Sequence, residues 1–320
     1  MESHRRTISG KTILQILLPA LLIHVAIAVL LHQTTFQLLS IWISVGIIIH
    51  SLFLLRLYFC WKDNPEEEVT KTGLGMASTV TLWRGGILST AVTAVLIGGY
   101  NASGMLLIAL MFLAAILLDA VDGYLARRLN QQTAFGGMLD TEADGYAMLA
   151  GTLLACWQGL LSVEFMAAGL AYYLFVFAGM RRRSSGQELD DLIPGSFRRT
   201  MAGFMMGFIA AANFGIFSEH AVHSVGRIYL LFFIVLFIFD WLTVCCRIKE
   251  GGGLLLIVRT LLARGLFDML PLVLRAALCF LIIIAFKGQD YYAVFLVLGL
   301  SITAGFLSRT LAVLLMLLLG

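Results

Sequence analysis

Leu106-Leu-Ile-Ala-Leu-Met-Phe-Leu-Ala-Ala-Ile-Leu-Leu118 runs without a break into Asp119-Ala-Val-Asp122-Gly123-Tyr-Leu-Ala126-Arg127. Eight residues later, Gly136-Gly-Met-Leu-Asp140-Thr-Glu-Ala-Asp144 opens the next apolar stretch. Runs this long and apolar belong in a bilayer, where the backbone must satisfy its own polar groups, so both are read as membrane helices. On a helix Asp119 and Asp122 are i,i+3 and share a face, and Asp140 and Asp144, at i,i+4, do the same. The short connection makes the two helices antiparallel neighbours, so the two pairs can face each other. Glu142 points away from that face and reads as a bystander.

Four carboxylates in one place are unstable alone. An ionised Asp near a bilayer centre costs about 2.5–3.5 kcal/mol, less toward the interface, and mutual repulsion adds to this. Divalent cations relieve both problems, and an all-oxygen ligand set favours Mg²⁺, Mn²⁺ or Ca²⁺. Two metals sharing carboxylates make a clamp for a phosphoryl or diphosphate group. Solvated helix ends or packing ion pairs would explain one Asp, but not four on facing sides with only Arg127 and Arg128 near. Gly123 and Ala126 lie one and two turns from Asp119 and leave room for a ligand to approach the backbone. Arg127 offers a cation to a phosphate, and Gly136 lets the facing helix pack closely.

The rest of the chain fits a polytopic membrane protein. It has 320 residues, 60% hydrophobic and 13% charged, with a mean hydropathy of +0.93; a soluble domain carries about 25% charged residues. Segments 12–31, 36–60, 78–98, 104–126, 136–158, 162–180, 200–217, 226–246, 267–286 and 290–317 predict an all-α integral membrane fold of about ten spanning helices. Linkers divide it into a two-helix hairpin with an acidic tail (1–75), a six-helix core (76–250) and a two-helix extension (251–320) that begins with an interfacial segment, Leu254–Ala263. With a cytoplasmic N-terminus, inside segments carry Arg5, Arg6, Lys11, Arg56, Lys62, Lys71, Arg84, Arg127, Arg128, Arg181, Arg182, Arg183, Arg198, Arg199, Arg247, Lys249, Arg259 and Arg264. The outside keeps Arg227 and Lys287. That asymmetry follows the positive-inside rule and puts the aspartates at the cytoplasmic mouth. A net charge of +3 gives no reason to expect nucleic acid. The five cysteines show no metal-ligand spacing, and His220 and His223 fall in an outside loop without a third ligand.

At this point the chain resembles the CDP-alcohol phosphatidyltransferases, whose signature is D-x2-D-G-x2-A-R, about eight residues, then G-x3-D-x3-D. Asp119, Asp122, Gly123, Ala126, Arg127, Gly136, Asp140 and Asp144 match every fixed position. Thr81-Leu-Trp-Arg84 is similar to the family's T-x-x-R segment. The resemblance covers residues 78–246. It implies a six-helix catalytic core, a homodimer, and two divalent ions, Mg²⁺ or Mn²⁺, on Asp119, Asp122, Asp140 and Asp144. It further implies that Asp144 is also the general base, with Gly123, Ala126, Arg127, Thr81 and Arg84 at a CDP-linked donor such as CDP-diacylglycerol. The implied reaction moves a phosphatidyl or related group to an alcohol and releases CMP, in a bilayer expected to be a bacterial inner membrane.

Arg198-Arg199-Thr200 stands where family members with phosphorylated acceptors often carry G-K-x-K-T, with Phe197 in place of the first lysine. These residues are candidates for an acceptor phosphate, glycerol 3-phosphate first, and serve equally as topology-setting charge. Two other classes share part of the pattern. Membrane prenyltransferases hold prenyl diphosphates on Asp-rich helix ends, but Gly123, Ala126, Arg127 and the Gly136 spacing speak against them. Cation-coupled transporters carry intramembrane acids, usually near the midplane rather than at one mouth.

Overall fold

Hydroxyl groups settle the shape of the central helix. In the computed structural model, Thr79, Thr81, Ser89, Thr90 and Thr93 each return a hydroxyl to the carbonyl four residues back. A segment with this many polar side chains can therefore lie in an apolar interior without stray donors. The structure describes residues 22–27, 36–63, 75–98, 101–129, 132–187, 189, 196–215 and 219–245. Among them every regular element is helical.

The described residues fall into two units that meet in sequence at Gln158 and Gly159. The first holds a helical stretch at 22–27, α1 (Phe36–Asp63), α2 (Met76–Ile97), α3 (Ala102–Arg128) and α4 (Ala134–Trp157). Helix α2 lies against α1, α3 and α4 and is the most enclosed of them. It ends at Gly98, whose φ of 70° only glycine adopts without strain and whose N–H closes on the Ala94 carbonyl at 3.1 Å. Asn101 and Thr133 cap α3 and α4 by accepting the N–H groups of Gly104 and Gly136. Phe53 and Leu57 of α1, Leu82 of α2, and Phe135, Leu139 and Ala143 of α4 form one apolar cluster. Ile48, Leu52 and Leu55 of α1 face outward, the arrangement a lipid environment favours.

The second unit comprises a 3-10 turn at Val163–Phe165, α5 (Met166–Ser184), α6 (Ser196–Asn213) and α7 (Glu219–Val244), with α7 against both α5 and α6. At one end Arg182 donates to the Cys245 carbonyl at 3.0 Å, placing positive charge at the C-terminus of α7. Arg227 and Glu164 pair at 2.9 Å on the exposed surface.

Five described helices are long and apolar enough to cross a bilayer, at Ser40–Tyr58, Met76–Ile97, Ala102–Arg128, Val163–Ser184 and Val222–Val244. Helix α4 covers the expected span at 136–158 through Trp157 and α6 covers that at 200–217 as far as Asn213, but α4 carries three acids and the apolar part of α6, Met201–Asn213, is short. Most of 12–31, the Leu254–Ala263 segment and both C-terminal spans lie outside the described residues. One boundary differs clearly from expectation. Helix α7 begins at Glu219 rather than 226, so His220 and His223 lie on a helix, not in a loop. Hydropathy marks where lipid begins, whereas helical hydrogen bonding continues past that point.

Gly226 is a crowded position in the second unit. A Cβ there would lie 2.4 Å from Phe165 Cζ and 2.6 Å from Phe208 Cζ, two rings that stack on each other. Gly226→Ala should lower stability by about 1–3 kcal/mol through overpacking, read as a fall in melting temperature in detergent. Gly203→Ala, where nothing lies within 4 Å, should be neutral or gain up to about 1 kcal/mol of helix propensity.

Candidate active site on three helices

Arg84 stands in the middle of α2 and is 1% exposed. A buried guanidinium needs partners, and α3 and α4 supply them. Its Nη1 donates to Asp119, and its Nη2 reaches Asp144 Oδ1 at 2.5 Å. Asp122 Oδ2 and Asp140 Oδ1 each lie 3.7 Å from Nη1. The structure therefore brings together all four aspartates singled out by spacing, with Arg84 beneath them. Thr81, one turn earlier on α2, lies 2.8 Å from Asp122 Oδ2 through its hydroxyl.

The four carboxylates are not equivalent. Asp122 is 6% exposed and closed in by Thr81 and Arg84, whereas Asp119, Asp140 and Asp144 are 39%, 49% and 53% exposed. One oxygen from each of these three lies within 4.8 Å of the others. One guanidinium against four carboxylates leaves acidic groups in excess at the open side.

The remaining candidates surround this centre. Arg127 is exposed at the end of α3 and folds back toward Gly123, whose missing Cβ would lie 3.5 Å from Arg127 Nη1. Ala126 is half-buried on the same helix. Arg128, by contrast, is held on Tyr124, with its Nη1 2.5 Å from the phenol oxygen. Gly136 lies in the first turn of α4, where a Cβ would meet Thr133 Oγ1 at 3.2 Å and Ser78 Oγ of α2 at 3.9 Å. Arg198, Arg199 and Thr200 open α6, and their side chains lie outside the described residues.

Comparison with known proteins gives the family. Residues 74–239, just over half of the chain, match the family described as CDP-alcohol phosphatidyltransferase. The chain belongs to the CDP-alcohol phosphatidyltransferase family. It is also 48% identical over 46 residues to a CDP-diacylglycerol–glycerol-3-phosphate 3-phosphatidyltransferase from Wigglesworthia glossinidia brevipalpis. That stretch is 14% of this chain and spans a quarter of the relative's length, 25%. No solved structure matches. The chain has α2, α3 and α4 inside the family-matched segment and α1 outside it.

The family uses divalent metals, and the residues here fit one. The donor set is all oxygen, three of the carboxylates converge, and Asp140 Oδ1 is buried without a hydrogen-bond partner among the described residues. Hard divalent cations take such ligands.

Two features were not read from the sequence. Arg84 is expected at the CDP donor and among the inside charges, and Arg56 among the inside charges, but neither is expected in an ion pair. Arg84 pairs with the aspartates from within α2, and Arg56, within α1, has its Nη2 2.7 Å from Glu142 Oε1. Glu142 does point away from the aspartates, but it is buried and paired rather than a bystander. The available signal for Arg84 was a lone cation inside an apolar, small-residue helix.

Arg84→Met should test the electrostatic balance. With the guanidinium gone and chelator present, the carboxylates lose their shared counter-charge, and breaking a buried ion pair typically costs about 3–5 kcal/mol. Thermal unfolding in detergent should show a large loss in EDTA and substantial recovery on adding Mg²⁺.

Proposed function

We propose that this protein transfers a phosphatidyl or related substituted phosphate group from a CDP-linked lipid to an alcohol, releasing CMP. The observation that carries the reading is the convergence of Asp119, Asp140 and Asp144 within the family-matched segment. In this reading Asp119, Asp122, Asp140 and Asp144 hold two divalent ions, Mg²⁺ or Mn²⁺. Bound there, the ions would neutralise the donor's diphosphate and stabilise the departing phosphate.

Asp144 is the general base. It is the most exposed of the four carboxylates, and so the most accessible to an incoming hydroxyl. It takes the acceptor's proton as the oxygen attacks the lipid-side phosphorus. The bond from that phosphorus to the bridging oxygen breaks, and CMP leaves with the bridging oxygen. Arg84 fixes the Asp144 and Asp119 carboxylates from below, and Thr81 does the same for Asp122, so these two residues serve the donor through the aspartates. Gly123 and Ala126 leave space for the cytidine, and Arg127 contacts the donor phosphates. Gly136 serves packing.

The acceptor in this reading is glycerol 3-phosphate, its phosphate held by Arg198, Arg199 and Thr200; the name of the Wigglesworthia relative, a CDP-diacylglycerol–glycerol-3-phosphate 3-phosphatidyltransferase, points the same way. The catalytic part is the core at 76–250, with 1–75 and 251–320 as additions. The enzyme works as a homodimer in a bacterial inner membrane, with its N-terminus and active site cytoplasmic, an orientation supported by the basic-residue asymmetry.

Purified protein given CDP-diacylglycerol, Mg²⁺ or Mn²⁺ and a panel of alcohols should release CMP with glycerol 3-phosphate and stop in EDTA. Release with no acceptor dependence, or full turnover in chelator, would overturn the reading. Asp144→Asn should still bind the CDP donor with turnover down at least ~10²-fold. Asp119→Ala, which loses a ligand, should lose both binding and turnover. Donor binding by isothermal titration beside CMP release separates the two.

A further inference from the structure

Helix α1 lies outside the family-matched segment, yet it touches α2 and α4, two of the three helices that carry the site's charges. Arg56 of α1 donates to Glu142 at 2.7 Å, and Glu142 is 4% exposed. One turn earlier, Phe53 stacks on Tyr146 of α4 with ring centroids 4.7 Å apart. The same ring fills the space over Gly85, where a Cβ would come within 2.1 Å of Phe53 Cε1. Gly85 follows Arg84 in the chain, and Tyr146 lies two residues beyond Asp144.

Helical geometry makes the Glu142 contact directional. At about 100° per residue, Glu142 lies roughly opposite the midpoint of Asp140 and Asp144 around the axis of α4. Apolar packing alone lets a helix rotate with modest loss, because neighbouring apolar side chains interchange. A buried carboxylate held by a guanidinium does not permit this, since rotation would strand the charge. Pulling Glu142 toward α1 therefore points Asp140 and Asp144 the other way, at Arg84.

We propose that Arg56 and Glu142 are positioning residues. Through them the added helix α1 sets the rotation of α4 and thereby the cation affinity of the aspartate cluster. The proposal rests on the reading that Asp140 and Asp144 hold a divalent cation. Orienting partners behind metal ligands typically change affinity or activity by about 10–100-fold when removed.

The test uses the full chain in detergent, with Mn²⁺ affinity followed by electron paramagnetic resonance and folding by size exclusion and thermal unfolding. Arg56→Leu and Glu142→Gln should bind Mn²⁺ about 10-fold more weakly, and Arg56→Lys, which keeps the charge, should stay close to wild type. The double variant Arg56→Leu with Glu142→Leu leaves no lone buried charge and carries the comparison if a single variant does not fold. It too should lose Mn²⁺ affinity while staying folded. Variants that are less stable but bind Mn²⁺ as wild type does would overturn the proposal and make the pair a structural brace only. A wild-type protein that binds no Mn²⁺ would instead overturn the cation reading beneath it.

Discussion

A guanidinium enclosed by apolar helices is stable only if opposite charge is brought to it. Arg84 imposes this condition on the first unit, and the convergence of α2, α3 and α4 satisfies it. Four aspartates gather around the one cation, which overshoots neutrality. On the buried side of the cluster Asp122 is held by Thr81 and Arg84, and the open side carries the excess of carboxyl groups. The same interaction thus organises three helices and leaves a place that favours divalent cations.

Placing Arg84 at the centre requires α2 to be surrounded, and α2 has the composition for it. Small and hydroxylated residues let neighbours come close, and the hydroxyls that donate within the helix keep lone pairs that can accept from outside it. His24 lies 2.5 Å from Thr90 Oγ1, His50 lies 3.4 Å from Ser89 Oγ, and Ser89 lies 2.9 Å from the Tyr146 hydroxyl. In lipid, apolar contact between helices has little driving force over contact with acyl chains, so polar links and close packing of small residues hold helices together. This polar seam joins the N-terminal helices to the core on the side of α2 that includes Ser89 and Thr90, and the Arg56–Glu142 pair joins α1 to α4 nearer the aspartates.

Much of this was legible in the chain. Apolar runs located the described helices to within a few residues, and helical spacing paired Asp119 with Asp122 and Asp140 with Asp144. The eight matched positions led to the family. The late start predicted for α7 shows where the method fails, because hydropathy does not sense a helix that continues into polar sequence. Arg56 shows a second failure: a charge near the end of an apolar run looks the same whether it snorkels to water or turns inward to a carboxylate.

Spacing along one helix, apolar length and residue chemistry are local properties, and from them the sequence by itself determined an all-helical membrane enzyme family and the residues of its aspartate cluster. Which carboxylate is closed and which three are open, which cation lies under them, and which outer helix takes hold of Glu142 depend on contacts between residues 35 to 86 positions apart. No local rule carries that information. It was decided only when the helices packed, because a buried charge accepts very few neighbours.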